Sequence, residues 1–186
     1  MNASEHVLPR TAGLPAPARR LDPNQLGDHL DRLYRAAWAL CGSREDAEDL
    51  VQETYARVLQ KPRILRSEED LGYLLRVLRN THFSRLRAAA RRPRTDPLPD
   101  DLDRVADRGA TTPDKALDSS ELYAEIAALP DAFREALVAI DVVGLSYREA
   151  ARALRVREAT ITTRLYRARL RLARSLGDHT SAVAPG

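Results

Sequence analysis

A chain of 186 residues with 44% hydrophobic and 31% charged residues has the make-up of a globular protein, and with aromatics at only 5% its core must come from leucine, valine, isoleucine and alanine, a palette that suits helices. The net charge of +3 is modest, but Lys61 and Lys115 are the only lysines and every other basic residue is arginine, whose planar fork is the preferred donor to phosphates and base edges. Lone Cys41 excludes an intrachain disulfide, the scattered His6, His29, His82 and His179 exclude a histidine metal site, and no run approaches the roughly 18 apolar residues of a membrane span.

In chain order, residues 1–23 carry Pro9, Pro15 and Pro17 without an apolar run and read as a disordered tail, not a secretory signal. From Asn24 to about Leu40, Leu26, Leu30, Leu33, Ala37 and Leu40 recur at helical spacing, and Gly42 is a stop. Ser43 with Asp46 is a capping signature for a second helix running to about Gln60, before Pro62. Its Ala47, Leu50, Val51, Thr54 and Val58 can face a core, leaving Glu45, Asp46, Glu48, Asp49, Gln52 and Glu53 outward. Ser67 and Asp70 open a third helix with Leu71, Leu74, Leu75 and Leu78 in period and Phe83 and Leu86 close to it.

That third helix is opposite in charge to the second. Arg76, Arg79, Arg85, Arg87, Arg91, Arg92 and Arg94 occur with no acid between Leu71 and Thr95, and Tyr73, Asn80 and His82 add stacking and hydrogen-bonding groups, a combination that can hold a separated DNA strand. Residues 24–92 therefore form a first domain, a three-helix bundle. Residues 93–112 alternate Pro93, Pro97 and Pro99 with Asp96, Asp100, Asp101 and Asp103, the composition of a flexible linker.

A second domain, 113–176, opens with Thr112 as cap and Pro113 at the first helical position, with Leu117, Leu122, Ile126 and Leu129 as its stripe. Pro130 starts the next helix, which carries Phe133, Leu137 and Ile140 and closes at Gly144. The segment Leu145 to Ala173 then reads as a helix-turn-helix: Ser146 and Glu149 form a capping box, Tyr147, Ala150, Ala151 and Leu154 share a face, and Arg155, Val156 and Arg157 make the turn. The last helix puts Ile161, Leu165, Ala168 and Leu172 on one stripe. Opposite them lie Thr163, Tyr166, Arg167 and Leu170, flanked by Thr162, Arg164 and Arg171, so the free face is threonine and arginine, as major-groove insertion needs. Residues 177–186 are a tail.

Three strings, REDAEDLVQETYARVLQ, YLLRVLRNTHFSRLRAAARR and LSYREAARALRVREATITTRLYRARLRL, in this order resemble an extracytoplasmic-function (ECF, group IV) sigma factor of the sigma-70 family over about Gln25 to Leu176. The resemblance implies an all-α fold of two small domains, sigma region 2 and sigma region 4, and binding to core RNA polymerase at the beta-prime clamp helices and beta flap. It implies core docking by Asp46, Asp49, Gln52 and Glu53, minus 10 promoter binding by Arg76, Arg79, Asn80, Arg85 and Arg87, and minus 35 binding by Thr160, Thr162, Thr163, Arg164, Arg167 and Arg171. An anti-sigma factor is an implied partner; the lone Cys41 and the absence of an apolar span lead one to expect a cytoplasmic location. The chain departs from the family at Tyr73 and Leu59, where tryptophan is usual, at Ser84 (aspartate), at Arg155 and Ala159 (glycine) and at Thr162 (lysine). A two-domain helix-turn-helix regulator without a sigma role explains the last helices but not the paired acidic and basic ones. For an enzyme acting on nucleic acid, no carboxylate cluster, Ser/His/Asp set or Gly-rich phosphate loop is present, and neither metal nor cofactor is expected.

Overall fold

In the computed structural model the described residues are 19–20, 23–60, 64–65, 70–91 and 113–183. The stretch read as linker lies wholly outside them, as do most of the N-terminal tail and the capping residues Ser67 and Thr112, whereas of the stretch read as a C-terminal tail 177–183 continues the last helix and only 184–186 lie outside. Within the N-terminal stretch, Arg19–Arg20 pairs antiparallel with Ile64–Leu65 as a two-residue ribbon, β1 with β2. Among the described residues all other regular structure is helical, in two domains, as the sequence leads one to expect.

The first domain is a 3-10 segment, Pro23–His29, followed by α1 (Leu30–Cys41), α2 (Arg44–Gln60) and α3 (Asp70–Arg91). Gly42 ends α1 in the left-handed region at φ 82°, its N–H returning to the Trp38 carbonyl at 2.7 Å, a conformation glycine adopts without a Cβ penalty. Ser43 then caps α2: its Oγ accepts from the Asp46 N–H at 3.2 Å and donates to the Asp46 carboxylate at 2.7 Å. The five α2 residues assigned to the core are all buried, as are Leu71, Leu74, Leu75 and Leu78 of α3. Two residues of the periodic stripes are not: Leu30 and Leu86 are about half exposed.

The second domain comprises α4 (Pro113–Ala128), α5 (Asp131–Leu137), a π-helical turn at Val138–Val142, α6 (Tyr147–Leu154) and α7 (Glu158–Val183). The wide turn after α5 was not legible from apolar spacing, which continues through it. Buried Arg134 satisfies the end of α4 by donating to the Ala127 carbonyl, and it is also paired with Asp131. The Ser146–Glu149 capping box forms in both directions. Ala150, Ala151, Ala153 and Leu154 bury one side of α6, whereas Tyr147 is 42% exposed at its first turn.

The two domains pack against each other. Their buried residues, from Leu26 to Ala168, make one continuous apolar cluster, in which α1 meets α4 and the π-helical turn while α3 meets α6. Trp38, the sole tryptophan, stacks on Tyr123 of α4 with ring centroids 4.2 Å apart and planes 22° from parallel. Beside it, Gly42 lets α4 approach so closely that a Cβ there would lie 3.1 Å from the Ala127 methyl. Leu33, Leu50, Leu74 and Leu78 are fully buried at the centre of the first domain. Leu50→Ala is expected to lower its unfolding free energy by about 2 to 5 kcal/mol, measurable by urea titration followed by circular dichroism.

Candidate nucleic-acid and protein interfaces

Three charged surfaces stand on this scaffold. The first is the outer face of α2, where Asp49 and Gln52 are exposed and Glu53 is half exposed. It is already partly neutralised within the molecule. Arg57 donates to Glu53 Oε1 through Nη2 and Nε, at 2.6 and 3.0 Å, and Arg85 of α3 lies 3.7 Å from Asp49 and 3.9 Å from Glu53. Asp46 is engaged with its own helix N-terminus, so of the four predicted docking residues it and Glu53 have partners within α2.

The second surface is α3. Asn80 is exposed, and Arg87 is exposed and donates to Ser84 Oγ at 3.2 Å. Arg85 leans toward the acidic face of α2. Arg76 and Arg79 instead face the second domain. The Arg76 guanidinium donates to the carbonyls of Arg152 at 2.9 Å and Ala153 at 3.3 Å, and Arg79 pairs with Glu135 of α5 at 2.7 Å while lying over the Phe83 ring. The five residues predicted for a separated strand are therefore divided among three neighbourhoods.

His82, read in the sequence as an accessory DNA group, is instead buried, its Nδ1 3.7 Å from the Cys41 sulfur. Burial and the nearby Arg134 cation hold its pKa below the usual histidine value, so the ring is a neutral core group. Burial also pushes the Cys41 thiol up to about 11, which leaves it protonated and unreactive at neutral pH. Tyr73 is half buried against the core. The signal for His82 was its place four residues after Leu78, on the apolar stripe.

The third surface is α7. Ile161, Leu165 and Ala168 are fully buried against α5 and α6, so Thr162, Thr163, Tyr166, Arg167 and Leu170 project outward, Tyr166 at 68% exposure. Thr162 and Thr163 each donate their hydroxyl to the carbonyl four residues back, Glu158 and Ala159, at 3.2 and 3.0 Å. With the proton committed inward, each presents lone pairs and a methyl group, suited to an amino donor or a thymine methyl. Thr160 and Arg164 are half buried at the start of the same helix. Arg171 lies over Phe133 at 5.3 Å and Arg169 pairs with Asp141 at 2.6 Å, so the lower end of α7 is pinned to α5 and the turn behind it. Arg167 is exposed with no ion-pair partner among the described residues.

The turn between α6 and α7 has a feature that composition hides. Arg155 adopts φ 57° and ψ 45°, a left-handed conformation rare for a residue with a side chain, and its N–H returns to Ala151 to close α6. Glycine adopts this backbone without a Cβ penalty, so Arg155 holds a conformation that costs a residue with a side chain more. Among the described residues no group of three His, Cys, Asp or Glu could hold a metal, and no helix is long and apolar enough to cross a membrane.

Comparison with known proteins identifies the family. Residues 26–92 match the model of Sigma-70 region 2 and residues 119–172 that of Sigma-70, region 4, so the fold is that of a sigma-70 family protein with two of its domains. The chain is 37% identical over 160 residues to ECF RNA polymerase sigma factor SigE of Mycolicibacterium smegmatis, covering 84% of this chain and 62% of that one. It is 35% identical over 156 residues to the ECF sigma factor SigM of Mycobacterium tuberculosis, covering 83% and 76%. The chain belongs to the ECF sigma factors. Its fold is similar to the sigma factor RpoE of Bartonella quintana, solved in complex with the anti-sigma factor NepR, at TM-score 0.65 and 26% identity, covering 83% of this chain and 95% of that one. It is similar also to CnrH, solved with the cytosolic domain of CnrY, at TM-score 0.61 and 22% identity, covering 83% and 86%.

The capping box gives the helix-turn-helix a pH dependence. The Ser146 hydroxyl and backbone N–H hold the Glu149 carboxyl below its ordinary value of 4.5. A depressed carboxylate pKa contributes stability that is present above 4.5 and lost as pH falls through the folded value. Amide protection in α6 should therefore decline below the ordinary carboxylate range in hydrogen exchange, and Glu149→Gln should flatten that decline.

Proposed function

We propose that the chain is a promoter-specific sigma factor that binds core RNA polymerase, recognises minus 10 and minus 35 promoter elements, and initiates transcription of a particular regulon. Family membership supports this. The observation that carries it is the placing of opposite charges on adjacent helices of one bundle: an acidic α2 that DNA would repel and a basic α3 that DNA would attract, alongside a separate helix-turn-helix. An operator-binding regulator has no need of the acidic face. The protein acts by binding and positioning, and the chemistry of RNA synthesis belongs to the polymerase.

In this reading Asp46, Asp49, Gln52 and Glu53 dock on a basic surface of the polymerase, the beta-prime clamp helices, with the beta flap engaging the second domain. Arg76, Arg79, Asn80, Arg85 and Arg87 hold the opened minus 10 strand, the arginines on phosphates and Asn80 on a base edge. Thr160, Thr162, Thr163, Arg164, Arg167 and Arg171 bind the minus 35 duplex through the major groove. The place of action is the cytoplasm, where core polymerase and chromosome are. The complex of RpoE with NepR supports an anti-sigma factor as a further partner.

Two measurements test the assignment. Reversing charge at Asp49 and Glu53 together should weaken binding to core polymerase about tenfold or more, since paired interface charges couple by about 1.5 kcal/mol or more, with the helical spectrum unchanged; unaltered affinity would remove the docking role. Arg164→Ala and Arg167→Ala should each weaken promoter binding. For a phosphate contact, the slope of log affinity against log salt should drop by about one, and run-off transcription from a minus 35-dependent promoter should fall.

A further inference from the structure

Two arginines in the turn of the helix-turn-helix stand where local structure disfavours them. Arg155 holds the left-handed backbone at φ 57°, the one positive φ outside glycine among the described residues. Its N–H and that of Val156 both return to the Ala151 carbonyl, so the closing of α6 fixes this backbone. Arg157 stands immediately before α7, its carbonyl accepting from the Thr160 and Ile161 N–H groups at 2.9 and 3.2 Å. A short hydroxyl or acid there would cap the helix and suit its dipole, whereas a cation is opposed by it. Val156 between them packs against the core, and the arginines on either side are exposed. Among the described residues neither has an ion-pair partner, and the nearby Glu149 is committed to Ser146. No contact within the fold accounts for either side chain. A residue kept in a sparsely populated conformation points to a task outside the fold.

We propose that Arg155 and Arg157 form a phosphate clamp for duplex DNA, anchoring the start of α7 on the backbone while the threonines and arginines beyond it meet base edges. The clamp rests on the minus 35 reading of α7. Arg157 precedes Thr160 by three residues and Arg164 by seven, so it continues the face those residues occupy toward the start of the helix. A guanidinium takes a phosphate through two parallel N–H groups, and two of them on a turn held by Val156 and the Ala151 carbonyl are fixed at their base. Contacts of this kind set the register of a protein on the duplex and are blind to sequence. Glycine at position 155 would relieve the backbone and forfeit one of the two cations.

The test uses the full chain and a short fluorescent duplex of mixed sequence, read by anisotropy over a salt series. Arg155→Gly and Arg157→Ser each install a residue that the backbone position favours, so neither should lower the thermal unfolding midpoint. Each should nonetheless weaken duplex binding about threefold or more and reduce the slope of log affinity against log salt by about one. Arg155→Lys should keep the slope. Arg174→Ser removes an exposed arginine far along α7 and should leave the slope unchanged, which controls for lost charge in general. If Arg167→Ala reduces the slope and the two turn variants do not, the clamp is overturned and the minus 35 reading stands. If none of the three reduces it, both are overturned. An equal drop in Arg174→Ser, or weaker binding at an unchanged slope, would also overturn the clamp. So would a lowered midpoint in the turn variants, which would show that the arginines serve the fold.

Discussion

The stack of Trp38 on Tyr123 joins two domains that are each small for independent stability. A domain of about 60 residues buries only about 60% of the surface its unfolded chain exposes, and this chain has few aromatics with which to compensate. Sharing a core is one remedy. The continuous cluster from Leu26 to Ala168 crosses between the domains, and Gly42 permits the close approach of α4 that seals it. The polar contacts at the edge of the seam, Arg76 on carbonyls and Arg79 on Glu135, have their geometry set by that apolar centre. What the arginines of α3 can reach thus depends on whether Trp38 keeps its partner.

Much of the local structure was legible in the sequence because it is decided within a few residues. Gly42 ends α1, Ser43 and Asp46 start α2, and Ser146 with Glu149 starts α6, each by hydrogen bonds spanning three or four positions. The buried faces of α2, α3 and α7 followed from period alone. Failures came where partners are distant. Leu30 and Leu86 keep the period but are about half exposed, His82 keeps it and is buried, and the π-helical turn at Val138–Val142 preserves apolar spacing while changing the backbone. None of these outcomes depends on anything local.

The candidate site shows the same division. The outward face of α7 could be read from the sequence because burying Ile161, Leu165 and Ala168 obliges Thr163, Tyr166 and Arg167 to face solvent. The basic run of α3 was equally visible, but its division was not. Arginines three residues apart go to different partners, Arg76 to backbone carbonyls and Arg79 to a carboxylate 56 positions away in number (135 − 79), because a separate domain happens to present anionic groups there. Glu135 had no motif to mark it, sitting between Arg134 and Ala136 in a short helix.

Arg85 carries the same competition into the first domain. It lies within 4 Å of both Asp49 and Glu53, which are proposed to dock on a basic polymerase surface, and it is itself proposed to bind DNA. At distances of 3.7 and 3.9 Å these are loose pairs between half-exposed groups, worth no more than about 1 kcal/mol, so either partner can be exchanged at small cost. A basic protein surface taking up the carboxylates of α2 would free Arg85 toward the strand, and a strand engaging Arg85 would expose the carboxylates. On the proposed function, docking and DNA capture then reinforce each other across the α2–α3 packing. Arg76, Arg79 and Arg85 of one helix thus have identical chemistry and are distinguished only by which acid or carbonyl the fold places within reach.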